Sequence, residues 1–239
     1  MSLRVLPWVV GLAAVLQTGV VCAESTDWLM RMAQAVRMQN YEGVMVYARD
    51  EHMESMRIVH RYRDGHEQER LQALSGDARE IYRDRDVVTC ILPKDHAVKL
   101  DRPAFRGLLP ALNRATVDQI GAHYETQELG SARLLGRVCR AVSIRPRDAY
   151  RYGYRMWIDE QTSLPLKVEL LGSDGEALEQ VMFTQISYPA TIEDNALESG
   201  VDTKDFVWIR HRALTAAAPE GSRSWNAGQL PPGFRMVVH

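Results

Sequence analysis

The hydrophobic residues of the chain follow two different spacings. Near the N-terminus, apolar side chains recur every three or four positions, as they do on one face of an α-helix. They are Trp28, Leu29, Met32, Ala35 and Val36. Thr26 or Asp27 can cap the N-terminus of this predicted helix. From Tyr41 onward apolar and polar residues alternate, which is typical of strands with one buried face.

These alternating runs predict an antiparallel sheet. The first of them, separated by turn signals such as Asp64-Gly65, are YEGVMVYA, SMRIVHRY, REIYRD, DVVTCIL and HAVKL. Residues 102–125 break the alternation, because two prolines occur among apolar residues at helical spacing, and they predict a helical cover or a flap. Strand signals resume at GRVCRAVSI, LPLKVELL and EQVMFTQISY. Together the elements predict an α+β fold, with a curved antiparallel sheet packed on helices.

The stretch YRYGYRMWIDEQTSLPLKVELL, residues 150–171, separates two kinds of side chain. At strand spacing one face receives Tyr150, Tyr152, Tyr154, Met156 and Ile158, and then Leu164, Leu166, Val168 and Leu170. The other face receives Arg151, Arg155 and Trp157. A nucleic-acid surface would place the aromatic residues beside the basic ones, so this segregation disfavours it. The apolar face is either packed core or the wall of a pocket for acyl chains, and the pattern leaves both open.

Charge and the first residues define the surroundings of the protein. The 239 residues include 29 basic and 31 acidic side chains, so a net charge of -2 gives no general attraction to nucleic acid. Arg4, an apolar run and small residues near position 23 predict a signal peptide cleaved after Ala23. A short membrane anchor is the alternative, but Pro7, Gln17 and Gly19 interrupt the apolar run.

Two cysteines remain after the predicted cleavage, Cys90 and Cys139. Export would place them in an oxidising compartment, where they could form a disulfide. Both lie in strand-like runs, and two separate buried thiols are the alternative. Their spacing in the sequence does not decide between these alternatives.

Motifs for catalysis or metal binding are absent from the sequence. The seven histidines show no HxH or HExxH spacing, and no CxxC, GxGxxG, GxxxxGK or GxSxG motif occurs. Acidic pairs such as Asp159-Glu160 flank turns and give no sign of acid–base chemistry. The sequence therefore predicts a protein that is not an enzyme and that needs no cofactor or metal.

Four segments carry recognisable motifs. They are RYGYRMWIDEQTSLPLKVELLGSDGEALEQVMF at 151–183, NYEGVMVY at 40–47, ESMRIVHRY at 54–62 and RLLGRVCRAVSIRPRDAYRYGY at 133–154. In this order and spacing they resemble the RseB/MucB family of periplasmic regulators of the envelope-stress sigma factor. The core at 157–171 is also similar to the lipoprotein carrier LolA and its receptor LolB.

The resemblance implies a LolA-like domain, an unclosed antiparallel β half-barrel packed around helices, followed by a small β-rich domain. Trp225 and LPPGF at 230–234 resemble the opening of that second domain, of which only the truncated start is expected. The expected organisation is a signal peptide at 1–23, a LolA-like lipid-binding-type domain at 24–190, a linker or irregular tail at 191–222, and the start of the second domain at 223–239.

The same resemblance implies negative regulation. Such a protein binds the periplasmic part of a membrane-spanning anti-sigma factor and protects it from the site-one protease, which keeps the sigma factor inactive. Lipid or lipopolysaccharide would release this protection. A periplasmic carrier of lipids or lipoproteins, of the LolA type, is the alternative. Nucleic acid is not an expected partner, and self-association into a homo-oligomer is left open.

Two sets of residues are candidates for binding. The apolar strand face and the apolar part of 102–125 supply the candidates for lipid contact. These are Tyr152, Tyr154, Met156, Ile158, Leu166, Val168, Leu170, Leu108, Leu109 and Leu112. Arg151 and Arg155 are the candidates for contact with acidic headgroups or with the partner protein.

Overall fold

The computed structural model describes residues 24–85, 87–101, 120–210 and 228–234. Within these ranges the chain begins with helix α1, Glu24–Met38, and continues with twelve strands. The strands are β1 Tyr41–Arg49, β2 His52–Arg63, β3 His66–Ala73, β4 Glu80–Asp84, β5 Val87–Leu92, β6 Ala97–Asp101, β7 Tyr124–Leu134, β8 Arg137–Pro146, β9 Gly153–Asp159, β10 Pro165–Leu171, β11 Ala177–Ser187 and β12 Val207–Arg210.

All these strands belong to one sheet, in the order β12-β6-β5-β4-β3-β2-β1-β11-β10-β9-β8-β7. Neighbouring strands are antiparallel, except that β12 is parallel to β6. The edge strands β12 and β7 do not pair with each other in the described part of the chain, so the sheet stays open. Register shifts leave an extra residue in β7, in β10 and twice in β11, as β-bulges do, and bulges bend a sheet and increase its twist. The predicted fold class, an α+β unclosed β half-barrel, is confirmed.

Helix α1 lies against the strands at one end of this sheet. Its side chains Leu29 and Met32 are each only 1% exposed, and Trp28 is buried beside them. They share one hydrophobic cluster with Val142 and Ile144 of β8 and with Met156 and Ile158 of β9. The helix predicted from the apolar spacing is therefore confirmed, with the predicted side buried, but it begins at Glu24, so Thr26 and Asp27 lie within it and the predicted cap is wrong. We call the face of the sheet that α1 covers the inner face.

A second hydrophobic cluster continues from the end of α1 across the middle of the sheet. Its buried members are Tyr41, Met45, Met56, Ile58, Leu71, Cys139, Leu164 and Leu166. Val36, near the C-terminal end of α1, packs against it as a partly buried residue. The two clusters together give the inner face a nearly continuous apolar core.

Asp159 ties the turn between β9 and β10 to β8. The residue is 1% exposed, and its carboxylate accepts hydrogen bonds from Arg137 Nε at 2.9 Å and Thr162 Oγ1 at 2.5 Å. Burial acts to raise the pKa of Asp159, but these two donors hold it below the ordinary value. Ser163 takes a positive φ of 60° within the turn, just before Leu164 and Pro165. This geometry accounts for the WID-x4-LP motif in physical terms.

Residues 191–210 cross the outer face, opposite α1, and we call them the strap. Arg61, whose side chain is 6% exposed, donates to Ile192 O at 3.1 Å and to Asp194 Oδ1 at 2.6 Å. Ser199 Oγ donates to the Glu80 carboxylate at 2.9 Å, and β12 then pairs with β6. The described part of the predicted linker or tail is therefore bound to the sheet along its length. The domain boundaries themselves stay predictions.

Three strands were missed by the sequence patterns, β3, β7 and β12, the last of which lies in the segment predicted as a linker or irregular tail. Strand β3 reads HEQERLQA, and its inward-facing position 69 is a glutamate, so apolar alternation is lost. Glu69 is buried near Arg83, with 3.4 Å between Arg83 Nη1 and Glu69 Oε1. The segment predicted as a helical cover at 102–125 falls largely outside the described residues. Of its end, residues 120–123 are helical and Glu125 belongs to β7.

Cys90 and Cys139 are both free thiols. Cys90 lies in β5 and Cys139 in β8, and seven strands separate these two in the sheet order. The structure therefore does not contain the disulfide that the sequence left open. Burial raises the pKa of both thiols, as expected for cysteines that act as small apolar residues.

Met156→Asp should unfold or severely destabilise the protein. The substitution places a carboxylate among Leu29, Met32 and Val142, where burial of an unpaired charge costs about 3 kcal/mol or more. Leu178→Asp is the matched control, because Leu178 is 40% exposed on β11 and the change there should cost less than about 0.5 kcal/mol. Chemical denaturation measures both. Equal free energies of unfolding for the two variants would contradict the packing described.

The contribution of Glu54 to the free energy of unfolding should be lost as the pH falls below 4.5. Hydrogen bonds from Arg79 and His52 lower the pKa of Glu54 from 4.5 to about 2. Because the folded-state pKa is depressed, the stabilisation is complete above the unfolded value and is lost as the pH falls toward 2. Solvent screening limits it to about 1 kcal/mol. Denaturation at pH 6 and pH 3 should give a smaller loss for Glu54→Gln than for the wild type, with Asp77→Asn in an exposed ion pair as control.

Candidate functional site

The inner face between α1 and the strand ends is the candidate binding surface. Where α1 covers it, Met156 and Ile158 are 1% and 6% exposed and form packed core. Around this core lies a set of partly buried apolar residues that we call the tyrosine margin. It consists of Met30, Ile120, Tyr124, Tyr154 and Val168. Met156 and Ile158 are thus packed core, and the wall of an acyl-chain pocket stays a prediction for the tyrosine margin.

The tyrosine margin is an apolar environment with two hydroxyl groups at its rim. Burial raises the pKa of Tyr154. Burial also raises the pKa of Tyr124, and the nearby Tyr154 hydroxyl raises it further. Both hydroxyls therefore stay neutral at ordinary pH. A surface of this kind can accept an apolar chain and donate a hydrogen bond at its edge.

The strand residues predicted for lipid contact do not all belong to one hydrophobic cluster. Val168 pairs with Met156 and Leu170 with Tyr154, so these stay together on the inner face. The register shifts between Pro165 and Lys167, which makes Leu166 an extra residue and places it in the second cluster. This bulge, which strand spacing cannot predict, separates Leu166 from Val168.

Tyr150 and Tyr152 are not part of the strand face, contrary to the prediction. They are 64% and 58% exposed, and β9 begins only at Gly153. The reason is a local turn, in which the Tyr150 amide donates to Asp148 Oδ1 at 3.0 Å. Alternation therefore starts three residues later than the pattern indicated. The remaining candidates Leu108, Leu109 and Leu112 lie outside the described residues.

Arg155 belongs to a charged group on the outer face. Its Nη1 lies 2.8 Å from Glu169 Oε2, and Lys167 Nζ lies 2.7 Å from Glu169 Oε1. The Lys167 ammonium also sits 4.5 Å from the centroid of the Trp157 ring. Glu169 is buried, so the two cations neutralise a carboxylate that would otherwise be unpaired. Arg155 is thus separated from the apolar candidates by the thickness of the sheet.

Arg151 is largely buried by contacts with other residues. Its side chain is only 9% exposed and forms an ion pair with Asp148. Its Nη2 donates to the carbonyl oxygen of Pro232, and its guanidinium lies 4.6 Å from the centroid of the Phe234 ring. The segment around 231–234 therefore binds at the start of β9. No sequence pattern predicted this contact, because it joins residues far apart in the chain.

A buried polar group lies on the inner face beyond the end of α1. His60 is fully buried, stacks on Tyr41 with 4.5 Å between ring centroids, and places Nδ1 2.8 Å from Gln39 O. Its Nε2 lies 3.4 Å from Glu67 Oε1. Burial raises the pKa of Glu69 in the same group. These contacts join α1 to β1, β2 and β3, so their role is structural.

Neither a metal cluster nor a membrane-spanning helix is found among the described residues. Among them, no group of three or more His, Cys, Asp or Glu side chains could hold a metal ion. Within the same ranges, no helix is long and apolar enough to cross a membrane.

Comparison with known proteins connects this surface to a family. The chain is 31% identical over 218 residues to the sigma factor AlgU regulatory protein MucB of Pseudomonas aeruginosa, covering 90% of this chain and 65% of that protein. It is 26% identical over 209 residues to the sigma-E factor regulatory protein RseB of Escherichia coli K12, covering 87% and 64%. The chain therefore spans slightly less than two thirds of the length of these relatives.

Solved structures give the same result. The crystal structure of MucB in complex with MucA(peri) matches with a TM-score of 0.67 and 28% identity, covering 90% of this chain and 68% of that one. The complex structure of Pseudomonas aeruginosa MucA/MucB matches with a TM-score of 0.60 and 31% identity, covering 74% and 62%. The model of the MucB/RseB N-terminal domain matches residues 24–201. The chain therefore belongs to the MucB/RseB family.

Proposed function

We propose that the protein is a periplasmic negative regulator that binds the periplasmic part of an anti-sigma factor. Bound there, it protects that factor from site-one proteolysis and keeps the envelope-stress sigma factor inactive. The observation that carries this proposal is the match to MucB in complex with MucA(peri), which extends over 90% of this chain. The names of the relatives, which are sigma factor regulatory proteins, support the same function.

The architecture suits regulation by binding. In the described part of the chain, α1 covers part of the inner face of the open sheet and leaves partly buried apolar residues at its margin. Such a margin can bury an apolar segment of a partner without a change of fold. Protection from a protease requires only that the bound segment be withdrawn from solution, so no catalytic group is needed.

Lipid binding at the tyrosine margin would relieve the protection. Tyr154, Val168 and Leu170 lie beside one another on the inner face of β9 and β10, where an acyl chain could lie along them. A ligand that binds the free regulator better than the complex weakens the complex by no more than its differential affinity for the two states. Lipid and partner therefore need to share only part of the surface.

Export completes the proposal. The first 23 residues have the charge, apolar run and small residues of a signal peptide, with cleavage after Ala23, so the mature protein would act in the periplasm. Family membership favours the regulator over a lipid carrier of the LolA type. A carrier would bind lipid but would not protect an anti-sigma factor from its protease.

A protection assay tests the regulator directly. We expect residues 24–239 to bind the periplasmic segment of the anti-sigma factor and to slow its cleavage by the site-one protease. Lipopolysaccharide fragments should restore the cleavage rate. The rate is followed by gel electrophoresis at equal protease concentrations, with denatured protein as the control. Cleavage at an unchanged rate in the presence of a folded, saturating protein would contradict the proposal.

Val168→Asp should weaken acyl-chain binding by about tenfold or more while the protein stays folded. Val168 is partly buried at the tyrosine margin, so a carboxylate there is tolerated in the free protein but meets an apolar ligand in the complex. Leu178→Asp is again the matched control, because it adds the same charge on an exposed part of β11. Fluorescent fatty-acid titration measures both. Wild-type affinity in folded Val168→Asp would exclude this wall.

A further inference from the structure

The turn at 231–234 contacts His123 and Arg151, and we call the site that these two residues form the seat. The Phe234 amide donates to Pro231 O at 3.1 Å, and Gly233 has a φ of 79°. Proline at the second position and a glycine with positive φ at the third are typical of a type II turn. A Cβ added at Gly233 would lie 2.5 Å from His123 Nε2 and 2.9 Å from Arg151 Nη2. A side chain at position 233 would therefore strain the backbone and displace His123 or Arg151.

The turn covers most of the donor groups and ring-stacking surface of the Arg151 guanidinium that a ligand could contact. One side of the guanidinium is paired with Asp148, Nη2 donates to Pro232 O, and the Phe234 ring lies over its plane. The side chain is 9% exposed as a result. Arg151 can reach another acceptor only after the turn leaves, because Nη2 and the face of the guanidinium are covered by it.

The seat adjoins the tyrosine margin. His123 directly precedes Tyr124, and Arg147 fixes the backbone of both by donating to their carbonyl oxygens, from its own amide at 2.8 Å and from Nε at 3.2 Å. His123 Nε2 and Arg151 Nη2 both lie against Gly233, at 2.5 Å and 2.9 Å from a Cβ placed there, so Arg151 is beside the residue that precedes Tyr124. An acyl chain on the margin would thus carry its headgroup toward Arg151.

The local charge around the seat favours an anion. The stretch 145–151 contains three arginines and one acidic residue, Asp148. Arg145 and Arg147 are exposed, whereas Arg151 is covered by the turn. A basic site in which the turn covers one arginine is suited to a phosphate-bearing group, for which arginine is the preferred partner.

We propose that the turn at 231–234 is a latch that competes with the anionic headgroup of a lipid for Arg151. With the latch closed, the guanidinium is engaged by this chain's own Pro232 and Phe234. With the latch open, the freed Nη2 binds the phosphate of a lipid whose acyl chain lies on the tyrosine margin. The proposal rests on lipid binding at that margin and adds a regulatory element to it.

The size of the effect follows from the population of the open state. If the latch is closed about nine-tenths of the time, the apparent affinity for an anionic lipid is reduced about tenfold. Gly233→Ala should remove this reduction, because alanine is strained at this φ and its Cβ would displace His123 and Arg151 from the turn. Gly228→Ala is the matched control, since a Cβ there meets no atom within 4 Å. Phe234→Ala opens the latch by a second route, through loss of the ring over Arg151.

The experiment measures the latch and the lipid separately, on residues 24–239. Hydrogen exchange of the Phe234 amide reports whether the latch is closed. Affinity for phosphatidylglycerol vesicles, with phosphatidylcholine vesicles as the uncharged comparison, reports the site. We expect faster exchange and about tenfold tighter binding to phosphatidylglycerol for Gly233→Ala and Phe234→Ala, no change for Gly228→Ala, and loss of the gain when Arg151→Gln is added.

Three results would overturn the latch. They are faster Phe234 exchange with unchanged vesicle affinity, a gain that survives Arg151→Gln, and an equal gain for phosphatidylcholine. If inorganic phosphate alone opened the latch as fully as vesicles do, the site would belong to free phosphate and the lipid assignment would be wrong.

Binding of the anti-sigma segment by the wild type is measured alongside. Loss of that binding counts against the regulator, whereas a failed latch test leaves it standing.

Discussion

The packing of α1 on β8 and β9 is the interaction on which the rest of the structure depends. An open sheet exposes an apolar face unless another element covers it, and Leu29 and Met32 supply that cover over Met156 and Ile158. Among the described residues, α1 covers only part of the twelve-stranded sheet, and apolar residues around it stay partly buried. The candidate binding surface is the consequence of this partial cover.

The remaining elements hold the two ends of the sheet. The Asp159 turn connects β8, β9 and β10 on one side, and the strap binds across β2 to β4 on the other before β12 extends the sheet beside β6. Both use buried or partly buried ion pairs whose partners come from distant parts of the chain. Such pairs add specificity to the arrangement even where their net contribution to stability is small.

The sequence predicted those elements whose apolar residues keep one period. Helix α1 and most strands have such a period, whereas β3 does not, because Glu69 occupies an inward position and is neutralised by Arg83. The candidate site was predicted less completely. A bulge moved Leu166, a turn at Asp148 removed Tyr152 from the strand, and the contact of Arg151 with Phe234 joins residues 83 positions apart, as no local pattern can indicate.

Photo-crosslinking tests most directly whether the margin of α1 forms the binding surface. A fatty acid with a photoreactive group along its chain is bound to residues 24–239, irradiated, and the modified residues are located by mass spectrometry. The structure predicts labelling of Tyr124, Tyr154 and Val168, which are partly buried around the helix, and none of Met156 or Ile158 beneath it. Labelling concentrated on Met156 and Ile158, with the tyrosine margin unmodified, would contradict the account.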